Sequence, residues 1–248
     1  MTGFINRLLK PFNFTLKKVN HAEQAEDIYA DAKFMAIYEQ VRDFTMSSIE
    51  RMYSLYQSIH FIIDHNLPGD FVECGVWKGG SSMIIALTLK ELGVDNRSIY
   101  MYDTYEGMSE PTDDDKDLHG STAESQLNTA EKTENIWCYS TIDEVKANMQ
   151  RTGYPSGKIV FCKGKVEDTI PHTIPEKIAL LRLDTDWYES TRHELIHLYP
   201  LLCKQGVLIL DDYGHWQGAR KAVDEYFAAG STLLLNRIDY TGRIAVKI

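Results

Sequence analysis

From residue 70 onward, short apolar runs alternate with longer stretches whose apolar residues recur every three or four positions. The runs are Phe71–Val76, Ser98–Asp103, Ile159–Gly164, Ile178–Asp184 and Gly206–Asp212, and the helix-like stretches lie at about 80–93, 140–152, 188–203 and 217–230. That alternation predicts a parallel sheet with helices on both faces. The tail breaks the pattern. Thr232–Ile238 and Arg243–Ile248 flank Asp239-Tyr240-Thr241-Gly242, which predicts a hairpin and hence an antiparallel last strand. Ahead of the sheet, residues 22–66 carry Ile28, Met35, Ile37, Tyr38 and Val41, then Ile49, Met52, Leu55, Tyr56, Ile59, Ile62 and Ile63, at helical spacing. Pro68-Gly69 ends that region.

The expected plan is therefore α/β, with residues 1–66 as an N-terminal extension and helical cover and 67–248 as the sheet domain. Residues 105–137 are the longest polar stretch and contain Asp113-Asp114-Asp115. A long loop in a compact domain is usually functional, so this one reads as a lid-like insertion. Prefix and lid are expected to cover an acceptor pocket, and the prefix to enter a homodimer interface.

Composition narrows the partners. A net charge of −10 and the lack of a basic block beyond the N-terminus argue against nucleic acid. An apolar share of 44% is enough for a true core. Cys74, Cys138, Cys162 and Cys203 have no C-x-x-C spacing, which argues against zinc or a disulfide framework and for a reducing, cytoplasmic setting. No apolar run reaches the roughly 20 residues of a membrane span. The basic, partly apolar start MTGFINRLLKPFNFTLKK is interrupted by Arg7 and Lys10, so it reads as an extension packing on the body or a partner subunit rather than a signal peptide.

The chemistry gathers where the runs end. One run stops at Asp184-Thr185-Asp186 and another at Asp211-Asp212. Carboxylates crowded at one sheet edge repel one another unless a cation sits among them. Hard oxygen donors suit Mg²⁺, Mn²⁺ or Ca²⁺, and open α/β sheets hold ligands at this edge. An aspartate at a strand end also caps a following helix, and Asp186 is placed to cap one from Tyr188. The first strand enters Glu73-Cys74-Gly75-Val76-Trp77-Lys78-Gly79-Gly80-Ser81, a glycine-rich turn of the kind that lets backbone approach a ligand. Asp103, with Thr104 beside it, ends the second run, where an acid commonly binds ribose hydroxyls. Asp168 follows the third, as a partner for a base amine or a helix N-cap. Trp187, Tyr188, Tyr213, His215 and Trp216 flank the acidic clusters and offer faces for a sugar ring.

FVECGVWKGGSS, DTYEG, LLRLDTDWYEST and LILDDYGHWQGARKAVDEY, in that order, resemble the macrocin O-methyltransferase (TylF-type) family over roughly residues 40–248. The resemblance implies a Rossmann-like three-layer sandwich with a seven-stranded, mostly parallel sheet. It implies a metal-dependent O-methyltransferase that uses S-adenosylmethionine and Mg²⁺ (or Mn²⁺/Ca²⁺) on a small hydroxylated acceptor, often a natural-product sugar. By position, the family's cofactor motif falls on Glu73, Gly75, Gly79, Gly80 and Ser81, and its ribose acid on Asp103. Its metal ligands fall on Asp184, Asp211 and Asp212, with Asp186 beside the metal or facing the acceptor. Related catechol-type enzymes carry a lysine after the D-x-D pair, where this chain has Trp187. The family would favour an aspartate at the metal as proton acceptor, Asp184 or Asp186, with His215 as an alternative base. The rival expectations are an NAD-dependent sugar-modifying Rossmann enzyme, which lacks its G-x-G-x-x-G here, and a non-catalytic nucleoside-binding oligomer.

Overall fold

The computed structural model describes residues 25–248 apart from 133, 229, 231 and 232. The basic N-terminal segment and its expected packing lie outside the described residues. The prefix forms α1 (Glu26–Ala30), α2 (Ala32–Val41) and α3 (Ile49–Asp64). Asp31 caps α2 by accepting from the N–H groups of Lys33 and Phe34, and Ser48 caps α3 by accepting from Arg51. The sheet region then alternates as β1 (Asp70–Cys74), α4 (Gly80–Glu91), β2 (Ile99–Asp103), α5 (Ala123–Thr129), α6 (Ile142–Arg151), β3 (Ile159–Lys163), α7 (Val166–Thr169), β4 (Ile178–Leu183), α8 (Tyr188–Leu198), β5 (Leu202–Leu210), α9 (Gln217–Ala228), β6 (Asn236–Arg237) and β7 (Arg243–Val246).

Among the described residues the sheet has seven strands in the order β3-β2-β1-β4-β5-β7-β6. The first five are parallel, and β7 runs antiparallel to β5. Alternate strand residues feed two cores. Phe71, Met101, Leu180 and Ile209 face α3, α4 and α6. Val72, Tyr102, Leu181 and Leu210 face α8 and α9, where Leu195, Leu198 and Val223 wait. The prefix helices belong to the first cluster through Phe34, Val41, Leu55 and Ile59, so they cover the sheet directly. The strand order reverses at the β1–β4 pair, and the crevice at their carboxyl ends is where such sheets bind ligands.

Of the run expected over Thr232–Ile238, Thr232 lies outside the described residues. Among the described ones, only Asn236 and Arg237 pair with β7, because Leu233 and Leu235 turn onto the cluster around Leu195 and Val223. The helix expected to reach residue 203 ends at Leu198. Tyr199-Pro200-Leu201 tightens into a 3₁₀ turn, as a proline without an N–H favours.

The 105–137 insertion is anchored to the body. Trp187 and Trp216 meet edge to face at 4.9 Å and share a small core with Ala123, Leu127 and Ala219. Trp187 Nε1 donates to the Ser109 carbonyl at 3.1 Å. The acidic triplet divides its work. Asp114 pairs with Lys221 on α9 at 2.7 Å. Asp115, fully buried, accepts from the Tyr188 N–H at 2.7 Å and from the Thr112 N–H and hydroxyl. The cap of α8 thus comes from the insertion and not from Asp186. Asp115→Ala removes the cap and leaves buried donors unpaired, which predicts a loss of about 1–3 kcal/mol in urea denaturation and faster proteolysis within 105–137. An unchanged midpoint would refute the anchoring role.

Candidate active site

The parallel ladder carries the acidic strand ends to the crevice. Beyond the strands, the Asp184 N–H donates to the Cys74 carbonyl and the Asp211 N–H to the Leu183 carbonyl, each at 2.9 Å. The ends of β1, β2, β4 and β5 therefore open on one cavity of about 450 Å³, with Asp103 and Asp184 both in its wall. That volume suits a nucleoside-sized ligand.

Its floor is ionic. Arg182 lies inside the apolar run of β4 with its side chain only 3% exposed. Nη1 meets Glu73 Oε1 at 2.8 Å and Asp184 Oδ2 at 2.6 Å. Nη2 meets Asp211 Oδ1 at 2.6 Å and Ser47 Oγ at 2.9 Å. Burial disfavours its charge, but Asp184, Asp211 and Glu73 outweigh that and hold it protonated. Arg51, from α3, takes the other oxygen of Asp211. The cations that the acidic strand ends require are thus in part supplied by the chain itself. Arg182 stood in plain view in the sequence LLRLD; a charge inside an apolar strand needs partners, and that was the signal for it.

The remaining acids converge. One carboxylate oxygen from each of Asp184, Asp186 and Asp212 lies within 4.8 Å of the others. The Asp186 N–H donates to Asp212 Oδ2 at 3.3 Å, and Asp186 sits in the left-handed region at φ 66°. Burial, joined by the charges on Asp184 and Asp211, pushes the Asp186 carboxyl up to about 7. Asp212 is held well above the carboxylate range by burial and by its acidic neighbours. Among the described residues, neither Asp186 nor Asp212 forms an ion pair, whereas Asp184 has Arg182. Asp211 does not join this trio, because both its oxygens face guanidinium groups.

On the expected cofactor side, protein packing already requires glycine at two positions. A Cβ on Gly75, at φ 82°, would lie 1.8 Å from the Asp184 carbonyl oxygen, and one on Gly80 would lie 2.5 Å from that of Phe44. Gly79, at φ 92°, faces Val145 of α6 and is absent from the cavity wall, whereas Gly75, Gly80 and Ser81 line it. Glu73 lines the floor with both oxygens engaged, one by Arg182 and one by the Ser82 hydroxyl. Asp103 accepts from the N–H groups of Val76 (2.7 Å), Trp77 (3.1 Å) and Tyr105 (2.6 Å), and Thr104 stands beside it on the wall. Burial still raises the Asp103 carboxyl. Asp168 is exposed and outside the cavity, since the short helix α7 rotates it outward; Glu167 lines the wall instead and accepts from Ser190 at 2.8 Å. Nor does Asp168 cap α7, whose N-cap position is Lys165.

Of the flanking aromatics, His215 and Trp216 reach the cavity. Trp187 is sealed in the insertion's core, and Tyr188 and Tyr213 turn to Glu225 and Asp224 on α9. Met46 and Tyr240 join the wall unforeseen, Tyr240 with its hydroxyl 2.9 Å from His215 Nδ1. They lie on segments whose direction the local pattern does not specify.

A sheet of this order is Rossmann-like, and its cavity lies at the point of strand reversal, between a glycine turn and an acidic edge, where such folds bind small ligands. The solved structure of the O-methyltransferase NovP has the same fold, with a TM-score of 0.72 and 30% identity over 82% of each chain. The chain belongs to the macrocin O-methyltransferase (TylF) family, which it matches over residues 7–245. It is similar to the 8-demethyl-8-(2,3-dimethoxy-alpha-L-rhamnosyl)-tetracenomycin-C 4'-O-methyltransferase of Streptomyces olivaceus, at 33% identity over 80% of this chain and 73% of that one. It is likewise similar to the mycinamicin III 3''-O-methyltransferase of Micromonospora griseorubida, at 31% identity over 73% of this chain and 69% of that one. The chain is accordingly an S-adenosylmethionine-dependent O-methyltransferase, and the NAD-dependent and non-catalytic alternatives fall away. None of the described helices is long and apolar enough to cross a membrane.

Removing the floor cation tests the ionic geometry. Arg182→Met removes the shared cation of three carboxylates, leaving Asp211 with Arg51 alone, and should destabilise the fold by roughly 3–5 kcal/mol in chemical denaturation. Arg182→Lys should recover only part of this, because an ammonium lacks the planar fork. Full recovery with lysine would mean that charge alone matters.

Proposed function

We propose that the enzyme methylates a hydroxyl of a sugar borne by a small natural product, assisted by a divalent cation, Mg²⁺ or its analogues Mn²⁺ and Ca²⁺. The acceptor class rests on the relatives, whose names specify methylation of a rhamnosyl 4' position and of a 3'' position. The metal rests on one observation: the oxygens of Asp184, Asp186 and Asp212 converge within 4.8 Å on the cavity, and two of the three carboxylates lack an ion pair among the described residues. An all-oxygen donor set of this charge fits a hard cation.

Asp184 and Asp212 would hold that cation. When bound, it supplies electrostatic stabilisation of negative charge developing on the acceptor oxygen. S-adenosylmethionine supplies an electrophilic sulfonium methyl, so the chain's own task is alignment and proton removal. The wall formed by Gly75, Ser81, Asp103 and Thr104 binds the donor. Asp186 takes the acceptor's proton on its carboxylate; Trp187, fixed in the insertion's core, occupies the position where a lysine base would otherwise stand. His215, Tyr240 and Met46 border the acceptor side of the cavity, where aromatic and apolar faces suit a sugar ring.

Calorimetry should detect S-adenosylhomocysteine binding and no NAD⁺ binding. EDTA should abolish methylation of a glycosylated acceptor and Mg²⁺ should restore it; full turnover by chelated enzyme would sink the metal reading. Asp186→Asn should lower kcat by about 10²–10⁴-fold while S-adenosylhomocysteine affinity stays near that of the parent. Joint loss of both would indicate a folding defect instead.

A further inference from the structure

Arg51 is unlike the floor arginine in having somewhere else to go. It lies on α3, its side chain is 14% exposed, and it lines the cavity. One nitrogen, Nη1, holds Asp211 Oδ2, while Nε lies 2.9 Å from Asp239 Oδ2 in the β6–β7 turn, an ion pair whose N–H is not aligned for a hydrogen bond. Asp239 is itself fixed. Its Oδ1 accepts from the N–H groups of Thr241 (2.9 Å) and Gly242 (2.7 Å), and its Oδ2 from the Ser48 hydroxyl (2.8 Å). A Cβ on Gly242 would lie 2.9 Å from Arg51 Cδ, so the turn is shaped around this side chain. The guanidinium therefore has two acidic seats, one on the catalytic edge and one on the hairpin.

We propose that Arg51 is the resident cation of the catalytic edge, and that a divalent ion binds by displacing it from Asp211 while Asp239 retains it. This rests on the metal reading above. Asp211 is adjacent in sequence to Asp212, yet both its oxygens are occupied, Oδ1 by Arg182 and Oδ2 by Arg51. Arg182 cannot yield, because it is enclosed and shared with Glu73, Asp184 and Ser47. Arg51 can, because a second carboxylate, Asp239, is already paired with it and awaits only alignment of the N–H, while its contact with Asp211 faces the cavity. Its charge also bears on Asp184 and Asp212. Displacement exchanges one positive charge for two beside the carboxylates that lack ion pairs, and it makes Asp211 Oδ2 available as a further ligand. It also releases an ion pair that ties the first turn of α3 to Asp211, and the segment leading into that helix lines the same cavity through Phe44, Met46 and Ser47. Ion occupancy and the cover over the cavity are thereby coupled.

Titrating Mn²⁺ into the full-length protein by calorimetry tests this. Arg51→Gln should tighten Mn²⁺ binding on the order of tenfold. Arg51→Lys, which keeps the charge but cannot span both seats, should tighten it by a smaller factor. In the parent, Mn²⁺ should speed amide hydrogen exchange across residues 44–51, and in Arg51→Gln it should not. Retained S-adenosylhomocysteine affinity reports that each variant is folded. Unchanged or weaker Mn²⁺ binding by Arg51→Gln overturns the displacement. So does an Arg51→Lys variant that matches the parent with no change in exchange, which is the signature of long-range charge alone. If the parent binds no Mn²⁺, the metal reading fails and this inference fails with it.

Discussion

One buried guanidinium underlies the catalytic edge. Arg182 joins acids from three strands, namely Glu73 of β1, Asp184 after β4 and Asp211 after β5. A lone charge in that position would be prohibitively desolvated, and three unpaired carboxylates would be worse. Together they form a network in which every charged partner constrains the others. The planar fork matters as much as the charge, since its two ends address different strands. The edge can therefore carry a high density of acid without splaying, and the fold can place surplus carboxylates on the cavity.

Much of this architecture was legible from periodicity. The β1 to β5 runs, the helices between them and the antiparallel end follow from apolar patterning, which reports on burial one element at a time. The acidic strand ends were also visible, and so was the reason they need cations. The identity of those cations was not. Arg51 reaches Asp211 from 160 positions away and Asp115 caps a helix 73 positions further on, and nothing local announces such pairings. At Asp168, a single turn of helix puts Glu167 rather than Asp168 on the cavity wall. The glycine turn lies where the pattern puts it, and the space that Gly75 and Gly80 leave on one side is filled by neighbouring chain, which no local signal announces.

The insertion also takes on a different character once its contacts are known. Its polar sequence suggests a loose flap, yet its anchor is a buried aspartate and a pair of tryptophans next to the acidic turn at 184–186. The insertion and the catalytic turn are thus consecutive parts of one assembly. The prefix segment around Phe44 and Met46 forms another part of the same wall.

The contact between Gly75 and Asp184 has a consequence for how this scaffold can diversify. The backbone of the glycine turn and the backbone that presents the acids touch directly, with no side chain between them. The spacing between the two is therefore a fixed gauge, set by two main chains in van der Waals contact. Met46, His215 and Tyr240, elsewhere on the cavity wall, belong to other segments. Evolution or a protein engineer can exchange those side chains and reshape the cavity while the gauge stays untouched.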